Sequence, residues 1–154
     1  MALVDYLLQA DSCDWGVGLS EWSWLIPPRF KVWFANRFGE PFLVLEDGSI
    51  ALLRLDAGEL LPLVDDHSQF LEALGRDGNA ERWLRTSEVD DRIGLGLDLG
   101  PGECYGFLIP LALGGYETGA NLVVMDVLER IATLGRLHRG LRDLADGEAP
   151  SATT

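Results

Sequence analysis

The segment Leu99–Asp126 constrains the fold more than any other part of the sequence, because six of the chain's 18 glycines fall between Gly100 and Gly119. Glycine is used where φ must be positive or where two backbones approach closely, so this density implies a closely specified backbone. The glycines are interspersed with apolar residues rather than serine, which argues against a flexible linker. An apolar run from Phe107 to Leu113 crosses its middle. We therefore predict two short buried strands joined by a tight, glycine-shaped loop.

The residues before this segment show the pattern of an antiparallel meander between Phe30 and Val64. The pair Asp47-Gly48 separates two apolar runs and predicts a hairpin, with a type I′ turn in which both residues have positive φ. Pro62 in the last strand indicates an edge position, since proline cannot donate a backbone hydrogen bond. Both faces of these strands are largely apolar, so we expect each face of the sheet to be covered.

Helical patterns lie on both sides of the meander. Residues 2–9 have leucines on one face of a predicted short helix, and residues 66–94 combine capping residues, apolar stripes and glycines, which predicts several more. Asp126 and Glu129 form a capping-box pattern before leucines at three- and four-residue spacing, which predicts a long terminal helix. The predicted class is α+β, with an antiparallel meander sheet packed with several helices and a long C-terminal helix.

The length of 154 residues corresponds to one domain, or to two small modules that share a core. We predict a β-rich module over residues 1–66 and a second module of helices and strands over residues 67–146. Residues 147–154 are predicted to form a disordered tail.

The net charge of −13 argues against nucleic-acid binding, because phosphate contacts need lysine and arginine. Such a charge suits a basic partner, although solubility alone can also account for it. No apolar stretch approaches the roughly 20 residues of a membrane helix, and Asp5 lies where a signal peptide has positive charge. The two cysteines, Cys13 and Cys104, are too few for a disulfide framework and fit a reducing compartment. We expect a cytoplasmic protein.

Residue patterns typical of catalytic sites are sparse. The glycines between Gly94 and Gly102 lack the spacing of a dinucleotide loop and the lysine of a phosphate loop. Cys104 could pair with His67 or His138 as a nucleophile, but a thiol in an apolar strand is more often an inert core residue. No histidine or cysteine pair has the spacing of metal ligands. We therefore expect no catalytic residue, no cofactor and no metal.

Two sets of motifs resemble known protein modules. The first set resembles the GAD-like N-terminal module and consists of Trp24–Pro27, Trp33–Gly39 and Phe42–Gly48. The second set resembles the C-terminal domain of type VI secretion DNase immunity proteins and consists of Asn79–Leu84, Leu99–Phe107, Leu113–Gly115 and Asn121–Val124. The resemblance extends from Leu3 to Asp146. It implies a cytoplasmic protein, without enzymatic activity, that binds and neutralises a cognate toxin, often a nuclease, encoded beside it.

A nuclease has a basic substrate-binding surface, which a protein of charge −13 can occupy as a mimic of phosphates. We expect this contact to be made by carboxylates in turns and at helix starts, namely Glu46, Asp47, Asp65, Asp66, Asp90 and Asp91. Two alternatives stay open. One is a non-catalytic small-ligand-binding or scaffold module with a pocket near Tyr105 and Tyr116, and the other is a hydrolase that uses Cys104. The oligomeric state is also open.

Overall fold

The computed structural model of the chain describes residues 2–8, 11 and 13–147. The strands formed by these residues are β1 (Leu7–Leu8), β2 (Phe30–Asn36), β3 (Pro41–Leu45), β4 (Ile50–Arg54), β5 (Glu59–Val64), β6 (Glu103–Phe107) and β7 (Leu122–Asp126). The α-helices are α1 (Trp15–Leu19), α2 (Phe70–Leu74), α3 (Asn79–Leu84), α4 (Thr86–Gly94) and α5 (Val127–Ala145). Short 3₁₀ helices cover Leu3–Tyr6, Ser20–Trp22, His67–Gln69, Leu111–Leu113 and Gly119–Asn121.

The first five strands form one antiparallel sheet in the order β1-β2-β3-β4-β5, and β6 and β7 form a separate antiparallel pair. The predicted α+β class, with its meander and long C-terminal helix, is therefore confirmed. Strand β5, which contains Pro62, lies at an edge of the sheet as predicted. The capping prediction for α5 is also correct, because the Asp126 carboxylate accepts a hydrogen bond from the Glu129 amide at 2.9 Å.

Three buried clusters cover the two faces of the large sheet and the β6–β7 pair. On one face, Leu43 and Leu53 pack with Trp22 and with Ile131 of α5. On the other face, the cluster combines strand residues with α2 and α3, and its members are Phe42, Ile50, Leu52, Phe70, Ala73, Trp83 and Leu84. The third cluster consists of Phe38, Val89, Tyr105 and Phe107. Each cluster combines residues from before and after position 66, so the two predicted modules contribute jointly to all three.

Two local predictions for the chain before residue 66 are wrong. The β3–β4 turn is not type I′, because Gly48 has positive φ (88°) and Asp47 does not. Asp47 instead uses its carboxylate to accept hydrogen bonds from the amide and hydroxyl of Ser49. Residues 2–8 also form no α-helix, because a 3₁₀ turn leads into β1, which pairs with β2. A segment this short gains more from adding to a sheet edge than from an isolated helix.

The glycine-rich segment forms the two predicted strands, but only β6 is buried as predicted, and β7 is partly exposed along its length. The predicted tight loop is also wrong, because 14 residues (108–121) connect the strands. The apolar run does not continue the strand beyond Phe107. Pro110 has no amide hydrogen to pair, and the backbone of Ile109 bonds to the side chain of Asn121 instead. We name residues 108–121 the β6–β7 loop.

The predicted tail starts at Gly147, and its residues 148–154 lie outside the described residues, as does Gln9 of the predicted first helix. The division at residues 66 and 67 stays a prediction. None of the helices in the described ranges has both the length and the apolar character needed to cross a membrane.

Candidate functional site

Four of the six predicted partner-binding carboxylates lie at one end of the five-stranded sheet. We name them the sheet-end acids: Glu46, Asp47, Asp65 and Asp66. The first two are in the β3–β4 turn, and the other two follow β5. Ile50 pairs with Val64, so this turn and the end of β5 are neighbours. All four side chains are exposed, and the structure therefore brings together carboxylates that are up to 20 positions apart in sequence.

Local contacts orient three of the sheet-end acids, Glu46, Asp47 and Asp66. A hydrogen bond from the Ser49 hydroxyl lowers the pKa of Asp47, and bonds from Ser68 lower the pKa of Asp66. Glu46 forms an exposed ion pair with Arg29, with 3.0 Å between oxygen and nitrogen. Asp47 and Asp66 are consequently ionised at neutral pH and place negative charge on the surface.

The other two predicted carboxylates, Asp90 and Asp91, are exposed on α4 and are not part of this group. Asp90 accepts a hydrogen bond from the hydroxyl of Tyr6 at 3.0 Å. Tyr6 immediately precedes β1, whose Leu7 pairs with Asn36 at the opposite end of β2 from the sheet-end acids. The six carboxylates thus form two separate groups.

A second set of charges is largely buried, and we name it the buried charge cluster: Glu40, Asp56, Arg85 and Arg130. Arg130 is 2% exposed and binds the Asp56 carboxylate with two nitrogens, at 2.9 and 3.2 Å. Arg85 donates to the same carboxylate at 2.9 Å and lies 3.5 Å from Glu40. The Arg130 Nε also donates to the Phe38 carbonyl at 2.8 Å. The cluster therefore joins the turns of the sheet to α5 and to the α3–α4 junction.

The protonation of this cluster follows from its pairing. Burial alone would raise the pKa of Asp56, but the charges and hydrogen bonds of Arg130 and Arg85 outweigh burial and hold that pKa below its ordinary value. Burial likewise opposes the charge on Arg85, but Glu40, Glu88 and Asp56 together raise its pKa above the ordinary value. Asp56 and Arg85 are therefore both charged at neutral pH, as a buried ion pair requires.

The surroundings of the cluster fix its geometry. The Asn36 amide donates to Glu40 and to the Trp83 carbonyl, both at 3.0 Å, and its oxygen accepts from the Phe38 and Glu40 amides. The guanidinium carbon of Arg85 lies 3.6 Å from the centre of the Phe38 ring, within the range of a cation–π contact. The short turn between β2 and β3 is thereby held against α3.

A cleft of about 440 Å³ opens beside this cluster. It is lined by the acids Glu40, Asp56, Glu81, Glu88 and Glu117, by the arginines Arg54, Arg82 and Arg85, and by Ala57, Leu111 and Ala112. Glu81 already accepts hydrogen bonds from Thr86 and Ser87, which ties α3 to α4. The five carboxylates exceed the three arginines, so the lining of the cleft is acidic.

The β6–β7 loop forms one wall of the cleft and exposes apolar side chains. Leu108 is 70% exposed, Ile109 53%, Leu113 57% and Tyr116 79%. The amide of Asn121 donates to the carbonyls of Ile109 at 3.0 Å and Tyr116 at 2.7 Å, and its oxygen accepts from the Ile109 amide at 2.6 Å. The loop is therefore closed at its base while its apolar side chains face outward.

Neither the buried charge cluster nor the exposure of this loop was predicted from the sequence. The signal for the cluster was Arg130, which interrupts the apolar stripe between Val127 and Ile131, both of them buried. The signal for the loop was Pro110 followed by the pair at Gly114 and Gly115, since a strand interior does not accommodate these residues.

The candidate nucleophile Cys104 is fully buried in β6. Burial raises the pKa of its thiol to about 12, so at neutral pH the sulfur is protonated and unreactive. His138 is packed beside the Trp22 ring, and burial lowers its pKa. His67 is exposed next to Asp66. Across the residues that the structure describes, no group of three or more histidine, cysteine or acidic side chains is arranged to hold a metal ion.

We expect Cys104 in the folded protein to react with iodoacetamide more than about 100-fold more slowly than a free thiol at neutral pH, because so little thiolate is present. Mass spectrometry of the alkylated peptides distinguishes Cys104 from Cys13, and protein unfolded in urea provides the positive control. Rapid modification of native Cys104 would restore the hydrolase hypothesis.

Comparison with solved structures finds similarity to the crystal structure of Atu4351 from Agrobacterium tumefaciens, with a TM-score of 0.50 and 17% sequence identity. The match covers 78% of this chain and 60% of that chain, so the present chain spans less than two thirds of its length. At this identity the likeness concerns the fold alone. A search of curated protein sequences finds no match. Residues 65–138, which contain Arg85, Arg130 and the β6–β7 loop, match the family model described as T6SS immunity protein Tdi1, C-terminal, and this part of the chain is similar to a type VI secretion immunity protein.

Proposed function

We propose that the chain is a type VI secretion immunity protein that binds a cognate secreted effector and neutralises it by protein–protein contact. The observation that carries this proposal is the match of residues 65–138 to the immunity-protein family. The finer assignments follow the sequence resemblance: a cytoplasmic location, a GAD-like module over residues 1–66, and a nuclease as the effector. Neutralisation of this kind requires a stable, complementary surface and no reacting group.

The sheet-end acids are the proposed contact with a basic effector. All four side chains are exposed, and hydrogen bonds keep Asp47 and Asp66 ionised. The β3–β4 turn and the end of β5, which carry these residues, are neighbours. A nuclease surface that binds phosphates presents lysine and arginine, so these carboxylates complement it in charge. Asp90 and Asp91 belong to the same proposal as a second, separate acidic group.

The test uses the purified C-terminal toxin domain of the effector encoded beside this chain's gene. Calorimetry measures its affinity for the wild-type chain at several salt concentrations. One variant changes the sheet-end acids to amides (Glu46→Gln, Asp47→Asn, Asp65→Asn and Asp66→Asn), and a second changes Asp90 and Asp91 to asparagine. Asparagine can still accept the turn and capping hydrogen bonds of the aspartates it replaces, so the fold is retained.

We expect the sheet-end variant to bind about 10- to 100-fold more weakly, with a reduced dependence of affinity on salt. The Asp90 and Asp91 variant reports whether the second group takes part. Absence of binding by the wild-type chain would overturn the immunity function. Unchanged affinity and unchanged salt dependence in both variants would instead retain that function and reject the acidic contact surface.

A further inference from the structure

We propose that the β6–β7 loop is a preformed docking element whose apolar side chains enter a hydrophobic pocket of the effector, a pocket bordered by basic residues. This inference rests on the proposed function and names a different contact from the sheet-end acids. The docking side chains are Leu108, Ile109, Leu113 and Tyr116.

Exposed apolar side chains are concentrated in the β6–β7 loop. Among the described residues, twelve large hydrophobic side chains are exposed, and four of them fall within the nine positions from Leu108 to Tyr116. Single exposed apolar residues are common on protein surfaces, but a dense group on one segment is typical of an interaction site. The hydrophobic effect disfavours this arrangement unless a partner covers it.

The backbone and Asn121 hold the loop in place without contacts from these apolar side chains. Asn121 closes the base, and the Leu108 amide donates to the Asn121 carbonyl at 2.9 Å. Gly115 donates to the Pro110 carbonyl at 3.1 Å, and a Cβ at Gly115 would lie 1.9 Å from the Ile109 carbonyl oxygen. Glycine is therefore required at position 115. A loop held in one conformation by its backbone loses little conformational entropy on binding.

The charge around the loop identifies the chemistry of the occupant. Leu111, Ala112 and Glu117 of the loop line the acidic cleft, opposite Glu81 and Glu88. When a pocket of the partner receives the loop, the residues around that pocket lie over the carboxylates of the cleft. Lysine or arginine at those positions of the partner would complement the carboxylates in charge. A second copy of this acidic chain would bring like charges together instead.

The position of the loop separates it from the sheet-end acids. Arg54, the last residue of β4, and Asp56 beyond it line the cleft, whereas Glu46 and Asp47 precede the strand. The two surfaces thus lie at opposite ends of β4, about 17 Å apart for a strand of five residues. Substitutions at one surface leave the other intact, so the two contacts can be tested independently.

The experiment measures binding of the same toxin domain to a Leu113→Ser/Tyr116→Ser variant by surface plasmon resonance. We expect a loss of affinity of at least about 100-fold, mainly through faster dissociation, because buried apolar anchors dominate interface energies. A Leu71→Ser/Leu144→Ser variant is the matched control, since both residues are exposed on other helices, and we expect its affinity to be unchanged. The thermal midpoint of each variant reports whether the fold is retained.

A second pair of variants tests the charge argument. Glu117→Lys is expected to weaken binding about tenfold and to reduce its salt dependence, whereas Glu72→Lys on the exposed side of α2 leaves both unchanged. Asn121→Ala releases the base of the loop and keeps its apolar side chains, so we expect an intermediate loss of affinity.

The outcomes separate the two proposals. Wild-type affinity in a folded Leu113→Ser/Tyr116→Ser variant would overturn the docking role of the loop and leave the immunity function intact. A wild-type chain that does not bind the toxin domain would overturn both. A wild-type dimer that this double variant converts to a monomer, measured by analytical ultracentrifugation, would identify a second copy as the occupant and overturn the proposal.

Discussion

Replacing Arg130 with methionine is expected to lower the free energy of unfolding by about 3–5 kcal/mol, the usual cost of removing one partner of a buried ion pair. The side chain donates both to the Asp56 carboxylate and to the Phe38 carbonyl. Methionine fills a similar volume and donates no hydrogen bond, so it leaves Asp56 in a buried site with Arg85 as its remaining cationic partner. Urea denaturation monitored by circular dichroism measures the change.

The same substitution has a predicted dependence on pH. In the wild-type chain the pKa of Asp56 is lower in the folded than in the unfolded state, so the stabilisation is present above the unfolded pKa of about 3.9 and is lost as pH falls through the folded pKa. Without Arg130, less of the effect of burial on Asp56 is offset, so the pKa of Asp56 in the folded state rises. The difference in stability between the two proteins should therefore be largest at neutral pH and should shrink on acidification towards about pH 3.

The matched control is Arg136→Met, which removes an exposed arginine of the same helix. Its guanidinium lies 3.5 Å from Glu21, and an exposed pair of this kind contributes about 0–1 kcal/mol. Equal losses of stability in the two variants, or a difference that does not change with pH, would show that Asp56 and Arg130 are not coupled as their geometry indicates.

Replacing Trp22 with alanine is expected to cost about 3–5 kcal/mol of unfolding free energy, as for other fully buried aromatic residues. Trp22 is completely buried, and its indole Nε1 donates to the Ile131 carbonyl at 2.8 Å. The ring of Trp24 stacks on it, with 5.5 Å between centroids. A Cβ at Gly135 would lie 2.9 Å from this Nε1, so α5 approaches the indole too closely for any larger residue.

The comparison for this substitution is Trp33→Ala, which deletes a tryptophan that is 37% exposed. We expect that variant to lose less than half as much stability, about 1 kcal/mol, because its cavity opens to solvent. Thermal and urea unfolding of both variants provide the measurement. A loss at Trp22 no larger than that at Trp33 would contradict the central position of Trp22 in the core between the sheet and α5.

The meander and the terminal helix could be predicted from the sequence because their signals are local. Alternation of apolar residues over Phe30–Val64 and leucine spacing after Asp126 depend on neighbours a few positions apart. The β3–β4 turn was found for the same reason, although its type was wrong, since the side chain of Asp47 makes a hydrogen bond that two-residue turn rules do not consider.

The buried charges and the loop could not be predicted in this way, because their partners are remote in sequence. Arg130 is 74 positions from Asp56, and an arginine on an acidic protein is ordinarily a surface residue. The apolar run from Phe107 to Leu113 has the composition of a strand, and the hydrogen bonds of Asn121, twelve positions beyond Ile109, give it another conformation. The local sequence pattern therefore identified the segment that contains the β6–β7 loop but did not predict that its apolar side chains are exposed.

The pairing of the buried charges has a consequence for how such chains can recombine. Arg85 and Arg130 lie within the stretch that matches the immunity family, whereas Glu40 and Asp56 precede it. A hybrid that joined this stretch to an unrelated first half would remove the counter-ion of Arg130 and leave Arg85 with Glu88 alone, and an unpaired charge in low-dielectric surroundings is strongly destabilising. The outward-facing apolar side chains of the β6–β7 loop do not depend on a counter-ion from the first half of the chain. The sequence of the loop surface can therefore diversify while the two halves of the chain, joined by the buried charge cluster, are inherited together.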